Sequence, residues 1–272
     1  MFSILEKKFK HVKAIAYFSM LLSCHVALAK PVTFQVTTFN IHHGANVADA
    51  IDLEKTAATI SQQFTKADFA VVGLQEVDVK TTRSKKEDQI ATISNNLKLN
   101  AFFAKCIDYK GGDYGNGVLL SPNLREAKLN IIDLPKDKER RTAMFVSFVH
   151  QEIPFCVVNA HFPLDNTEGL QSASFQLITN TLTTLYQGAV AVIMGDMNID
   201  RNSKAFSHLE KDYYINPADK RFFTFPVNKP AKQIDFILIS RHPLVKSCDF
   251  KVVHDPSSSD HLPLTAVIEL SE

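Results

Sequence analysis

The chain has 272 residues, 45% of them apolar, with 30 Lys and Arg against 29 Asp and Glu. That length can bury a large core, and a formal net charge of +1 lacks the global field that drives non-specific binding to nucleic acid. Four cysteines are too few for a disulfide-built scaffold at this size.

Residues 1–29 read as an export signal: Lys7, Lys8, Lys10 and Lys13 form a positive start, 14–22 an apolar stretch, and Ala27-Leu28-Ala29 a small-residue cleavage site. A lipobox-like Leu21-Leu22-Ser23-Cys24 offers a second reading, with Cys24 carrying lipid, and an uncleaved signal anchor is a third. Cleavage after Ala29 is favoured because Leu22 is bulky for its lipobox slot. The segment's four Lys and Glu6 carry +3, which leaves −2 on the mature chain. No Gly/Ser/Pro linker or repeat divides the remainder, so a single domain is expected over 30–272. Of the mature cysteines Cys106, Cys156 and Cys248, Cys156 lies in an apolar run and reads as a small buried hydrophobe; one bridge among the three stays open.

Residues 32–40 alternate and are rich in Thr, Val and Phe, which predicts a strand. Leu53, Ala57, Ile60 and Phe64 follow at helical spacing. A short apolar run at 69–74 predicts a buried strand that delivers Glu76 just past its end. Ile90, Ile93 and Leu97 mark a second helix. Strands are predicted at 101–107, 117–120, 127–134, 142–150 and 155–159, separated by turn signals such as Gly111-Gly112 and Ser121-Pro122-Asn123. Leu170, Phe175, Ile178, Leu182 and Leu185 mark a third helix. Strands at 190–194, 234–239, 245–253 and 264–270 complete the chain. Residues 101–160 offer no helix for parallel crossovers. The expected fold is therefore an α/β four-layer sandwich, two mixed sheets packed face to face with helices outside.

Short polar clusters sit at the edges of these apolar runs. They supply the oxygen ligands Asn40, Glu76, Asp196, Asn198 and Asp260, and the imidazoles His161 and His261. This mixture suits a hard divalent cation such as Mg²⁺ or Mn²⁺; zinc spacings such as His-Glu-x-x-His are absent. Each cluster alone has a plainer reading. Gly195-Asp196-Met197-Asn198 fits an Asx turn, Ser259-Asp260-His261 a surface loop, Glu76 a solvated charge, Asn40 a turn residue and His161 a core histidine. Asp235 is harder to dismiss: it abuts Phe236-Ile237-Leu238-Ile239, where a carboxylate needs a partner, and His261 is the candidate.

In this combination and order the chain resembles the endonuclease/exonuclease/phosphatase superfamily, from about Phe34 to Leu270. Pancreatic-type deoxyribonuclease, bacterial sphingomyelinase and inositol-polyphosphate phosphatases belong to it. The segments Thr38-Phe39-Asn40-Ile41-His42-His43-Gly44, Leu74-Gln75-Glu76-Val77-Asp78 and Tyr114-Gly115-Asn116-Gly117 are similar to a bacterial branch of metal-dependent hydrolases, itself similar to the catalytic part of GPI-anchor lipid remodelling proteins. The resemblance implies Glu76 as main metal ligand with Asn40 and Asp260 nearby, and Asp235 orienting His261 as general base. It also implies Asp196 and Asn198 positioning water and phosphate, and His161 stabilising phosphate or leaving group. The carboxylate that partners this last histidine in deoxyribonuclease has no counterpart here. Arg141 and Asn116 are candidates for phosphate contact, with a solvated loop charge the competing reading of Arg141.

The expectation is an exported (periplasmic or extracellular) phosphoester hydrolase acting on a small molecule or lipid headgroup, with no obligate protein partner and a monomeric state. An extracellular nuclease is the runner-up; it would need a basic, aromatic groove, whereas Lys85-Lys86 and Lys229 to Lys232 are scattered basic spots. A non-catalytic surface binding module is the third reading, opposed by the intact residue set. Phe222-Phe223-Thr224-Phe225-Pro226 reads as an apolar lip or, more simply, a packed strand.

Overall fold

Strands whose two faces are both apolar need cover on both sides, and this chain supplies it in four layers. The computed structural model describes residues 30–136, 138–164, 168–255 and 257–271; the expected export signal and Cys24 lie outside the described residues. The first sheet contains β1 (Val32–Asn40), β2 (Phe69–Val79), β3 (Asn100–Tyr109), β4 (Gly112–Leu120), β11 (Val245–Val252) and β12 (Leu264–Leu270), in the order β11-β12-β1-β2-β4-β3. The second contains β5 (Arg125–Asp133), β6 (Thr142–His150), β7 (Ile153–His161), β8 (Val190–Asp196), β9 (Tyr213–Ile215) and β10 (Asp235–Ser240), in the order β5-β6-β7-β8-β10-β9.

The sheets pack through Phe34, Val36, Val71 and Val118 on one side and Met144, Val157, Val192 and Ile237 on the other. Helices α1 (Leu53–Ser61) and α2 (Gln89–Leu97) cover the outer face of the first sheet, where Leu53, Ala57, Ile60 and Ile93 meet Phe39, Val72 and Leu74. Helix α3 (Gly169–Leu185) covers the second through Phe175, Ile178 and Leu182. Asp52 and Asp88 cap α1 and α2 by accepting from the backbone N–H of Lys55 and Ala91. This is the expected two-sheet sandwich with helices outside.

Among the described residues only β1–β2 and β7–β8 run parallel, and each pair is joined through a helix. Those connections bring the C-terminal ends of four strands to one rim. There, β10 begins antiparallel to β8 with Asp235 opposite Asp196, and His161 of β7 lies beside Asp196 in the parallel register. Strand ends at such a rim are the usual place for sites in α/β sheets.

Two expectations are corrected. Strand β2 does not stop at residue 74: its pairing with β4 shifts between Leu74 and Val77 and resumes to Val79. Glu76 therefore stands on a bulge inside the strand, with φ of 58°, where its side chain is re-aimed. Residues 222–226 do not form a packed strand. Phe222 closes a short 3-10 turn, Phe225 makes an isolated bridge to Lys232, and its ring lies 4.8 Å from that of His261. Edge strand β9 went unpredicted. Cys106, Cys156 and Cys248 are all free thiols, with Cys156 fully buried.

Candidate active site

Asp196 is the hub of the rim. It ends β8 after Gly195, whose φ is +146° and where a Cβ would lie 1.8 Å from the carbonyl oxygen of Ala160. Only glycine admits that approach of β8 to β7. Asp196 Oδ1 accepts from the backbone N–H of Asn198 at 3.0 Å, while Asn198 donates its side-chain amide to the carbonyl of Phe162 at 2.9 Å. Asp196 Oδ2 receives Asn40 Nδ2 at 3.1 Å and lies 3.5 Å from His161 Nε2 and 3.7 Å from His261 Nε2. Burial first, and then the neighbouring Asp235, push its pKa up to about 7 against the opposing pull of His261, Asn40 and the Asn198 N–H.

His261 and Asp235 form a closed pair. Nδ1 of His261 lies 2.9 Å from Asp235 Oδ2, which also accepts from Thr224 Oγ1 at 2.5 Å, and all three residues are buried. Burial works against a charged imidazole here, but Asp235, Asp196 and Asp260 outweigh it and raise the His261 pKa to about 10. A carboxylate on Nδ1 fixes the ring with Nε2 toward Asp196 and stabilises the imidazolium formed on taking a proton.

Across the rim, Asn40 Nδ2 also donates to Glu76 Oε1 at 3.1 Å, and Asn40 Oδ1 accepts from the backbone N–H of His42 at 3.0 Å. Ser259 Oγ donates to the Asn40 carbonyl at 2.7 Å and sits 3.4 Å from Asp260 Oδ1, which is 3.8 Å from His42 Nδ1. The amide of Asn40 thus stands with its positive end between two carboxylates, Glu76 and Asp196, a place where a cation is electrostatically favoured. Carboxylate oxygens of Glu76 and Asp260, and the amide oxygen of Asn40 once its O and N ends are exchanged, fit a hard divalent ion. Asp196, Asp235 and His261 also lie within 4.8 Å of one another in ligand-atom distance, but the His261–Asp235 hydrogen bond commits two of these three to each other.

Arg141 is 8% exposed, which removes the solvated-loop reading. Its Nη1 lies 2.9 Å from His161 Nδ1 and its Nε 3.4 Å from Glu139 Oε1. Asn116 is buried on β4, where it donates to the Thr142 carbonyl at 3.2 Å. The geometry adds residues to which the sequence reading gave no role. Asn159, two residues before His161 on the same face of β7, crosses between the sheets and donates to the carbonyls of Leu74 (2.9 Å) and Gly117 (2.8 Å). Its Oδ1 accepts from Gln75 at 2.6 Å. It occupies the space above Gly73, where a Cβ would lie 2.8 Å from Asn159 Oδ1. The signal for Thr224 was a lone hydroxyl inside a Phe-rich run. A cavity of about 930 Å³ lined by α3 and residues 204–213 shares none of these residues.

A two-sheet sandwich with carboxylates, amides and an Asp–His pair gathered on one rim defines a hydrolase built for phosphoester bonds. The chain belongs to the endonuclease/exonuclease/phosphatase family, whose model matches residues 37–261, and members of that family hydrolyse phosphoester bonds. Among solved structures it is similar to an endonuclease/exonuclease/phosphatase from Bacteroides vulgatus (22% identity, TM-score 0.69, covering 89% of this chain and 100% of that one). It is also similar to a mannosyl-6-phosphatase of Bacteroides thetaiotaomicron (17%, 0.64, 86% and 98%). A third is the human Nocturnin catalytic domain with bound sulfate (16%, 0.63, 89% and 97%). No curated protein matches the chain in sequence.

Proposed function

We propose that the chain is an exported, divalent-cation-dependent hydrolase of a small-molecule or lipid phosphoester, in which His261 activates water as general base and Asp235 orients it. The single observation that carries this reading is the 2.9 Å His261–Asp235 pair, with Nε2 directed at Asp196 beside the Glu76–Asn40 pair. Glu76, with Asn40 and Asp260, would hold Mg²⁺ or Mn²⁺, which when bound supplies charge neutralisation at a phosphate oxygen and would offset the pull of Asp196 and Asp260 that, without the ion, keeps His261 protonated up to about pH 10, leaving Nε2 free to accept a proton. Asp196, with Asn198 behind it, orients water toward the phosphoryl group, and His161 donates to an oxygen that gains negative charge. Phosphate ester hydrolysis is among the slowest uncatalysed reactions, so both the base and the charge stabilisation are needed. A small or lipid substrate is favoured over nucleic acid because the chain without residues 1–29 carries a net charge of −2 and so lacks the positive field that drives non-specific binding to nucleic acid.

The test is an assay of the purified protein with Mg²⁺ and Mn²⁺ on bis- and mono-p-nitrophenyl phosphate, sugar phosphates, phospholipids and plasmid DNA. Hydrolysis of small or lipid esters with DNA left intact is expected; cleavage of plasmid alone would replace this reading by the nuclease. EDTA should abolish turnover and either ion should restore it, and Glu76→Gln should blunt the metal response while leaving the unfolding midpoint nearly unchanged. Full activity after rigorous chelation would reject the cation. Export is checked by mass spectrometry of the native N-terminus, with cleavage before Lys30 expected and a lipidated Cys24 as the competing result.

A further inference from the structure

His161 ends β7 with its two ring nitrogens facing different neighbours. Nδ1 lies 2.9 Å from Nη1 of Arg141, and Nε2 lies 3.5 Å from Oδ2 of Asp196. A guanidinium offers only N–H donors and stays charged throughout the accessible pH range. The nitrogen facing it must present a lone pair, so Nδ1 carries no proton. A neutral imidazole has one N–H, which is then on Nε2, directed at the Asp196 cluster. The pairing follows from the hairpin: Ala143 of β6 is opposite Ala160 of β7, so Arg141 and His161 emerge side by side where the ladder ends. Burial of Arg141 and its approach to Glu139 hold the guanidinium there.

We propose that Arg141 is a positioning residue that locks His161 in the neutral Nε2–H tautomer, making His161 a fixed hydrogen-bond donor to an oxygen of the phosphoester rather than a cationic acid. This inference rests on the phosphoester-hydrolase reading above. Burial, then the positive charges of Arg141 and His261, hold the His161 pKa well below its ordinary value, which agrees with the hydrogen-bond argument. A neutral donor stabilises charge that develops on oxygen without any proton transfer. The two histidines flanking Asp196 are thereby set to opposite tasks by their Nδ1 partners. A carboxylate behind His261 makes it a proton acceptor, and a guanidinium behind His161 makes it a donor.

The test is long-range ¹H–¹⁵N correlation of the full protein labelled with ¹⁵N-histidine at pH 7, with His161 assigned by loss of its signals in His161→Gln. The expected spectrum has the downfield shift of an unprotonated nitrogen at Nδ1 and the upfield shift of an N–H at Nε2. Arg141→Met should mix the two tautomers and lower kcat about 10²-fold with KM little changed, whereas Arg141→Lys, which keeps a donor, should restore the Nε2–H pattern. A protonated Nδ1 in the wild type, or an unchanged His161 spectrum in Arg141→Met, overturns the proposal. So does a raised KM at constant kcat in Arg141→Met, which would assign the guanidinium to phosphate binding. If Arg141→Met does not fold, the wild-type and Arg141→Lys spectra decide the tautomer. The expected wild-type spectrum in a protein that hydrolyses no phosphoester would reject the functional reading and leave the Arg141–His161 lock standing; an Nδ1–H spectrum in an active enzyme would reject the lock alone.

Discussion

Asp235 is a carboxylate placed where an apolar strand begins, 1% exposed, and its environment tolerates the charge because His261 and Thr224 both face it. Removing either member of the pair should therefore act through the other. His261→Ala should lower kcat by about 10²–10⁴-fold, the usual worth of a general base, and Asp235→Asn should lose a comparable factor by freeing the ring to adopt the wrong tautomer. The double variant should lose far less than the product of the two. Simple multiplication of the losses, measured by steady-state kinetics, would mean the residues act independently. At this scale the sequence was informative because a charge inside an apolar run demands explanation. Arg141 was not legible in the same way. Its partner lies 20 residues on, and only the register of the β6–β7 hairpin brings the two together.

The elements that carry these residues differ in how openly the sequence announces them. Apolar periodicity located the three helices and most strands, because each buries a face and the pattern records it. The bulge in β2 left no such trace. Gln75-Glu76 breaks the ladder by one step, and the break is stabilised from the opposite sheet by Asn159, whose amide takes the carbonyls of Leu74 and Gly117. A contact between residues 85 apart in sequence cannot be read from local pattern. Asn159→Ala would take a partner from the Leu74 and Gly117 carbonyls and from the Gln75 amide, which keeps Thr38 Oγ1; a buried group left wholly unsatisfied costs about 1–3 kcal/mol, and one that keeps a partner costs less. A loss of about 2–4 kcal/mol in chemical denaturation is expected, together with a weaker response to Mg²⁺ as Glu76 loses its fixed aim. An unshifted denaturation midpoint would show that the bulge holds without this bridge.

At the scale of the whole molecule, the site is a seam. Asn40, Glu76 and His261 come from the first sheet and its loops, while His161, Asp196 and Asp235 come from the second. Strand content and helix placement made the sandwich legible, but not the insertion of β4 between β2 and β3 or of β10 between β8 and β9, since antiparallel neighbours need not be sequential. Because the charged cluster joins both sheets, its titration should register in the stability of the entire fold. His261 is raised from 6.5 to about 10, so the folded protein keeps a proton that the unfolded chain has released between those values. Its contribution is full below the unfolded pKa of about 6.5 and is lost as pH rises through about 10. Asp196, raised from 3.8 to about 7, acts in the same direction in a lower window. His161, held below its ordinary value, acts oppositely: its contribution is present above the unfolded pKa of about 6.5 and fades as pH falls through the lower folded one. In EDTA the melting temperature should therefore fall as pH rises from about 6.5 to about 10, the interval fixed by the two His261 values, and His261→Gln should flatten that slope. A wild-type profile already flat across this interval would show that Asp235 does not hold a proton on His261.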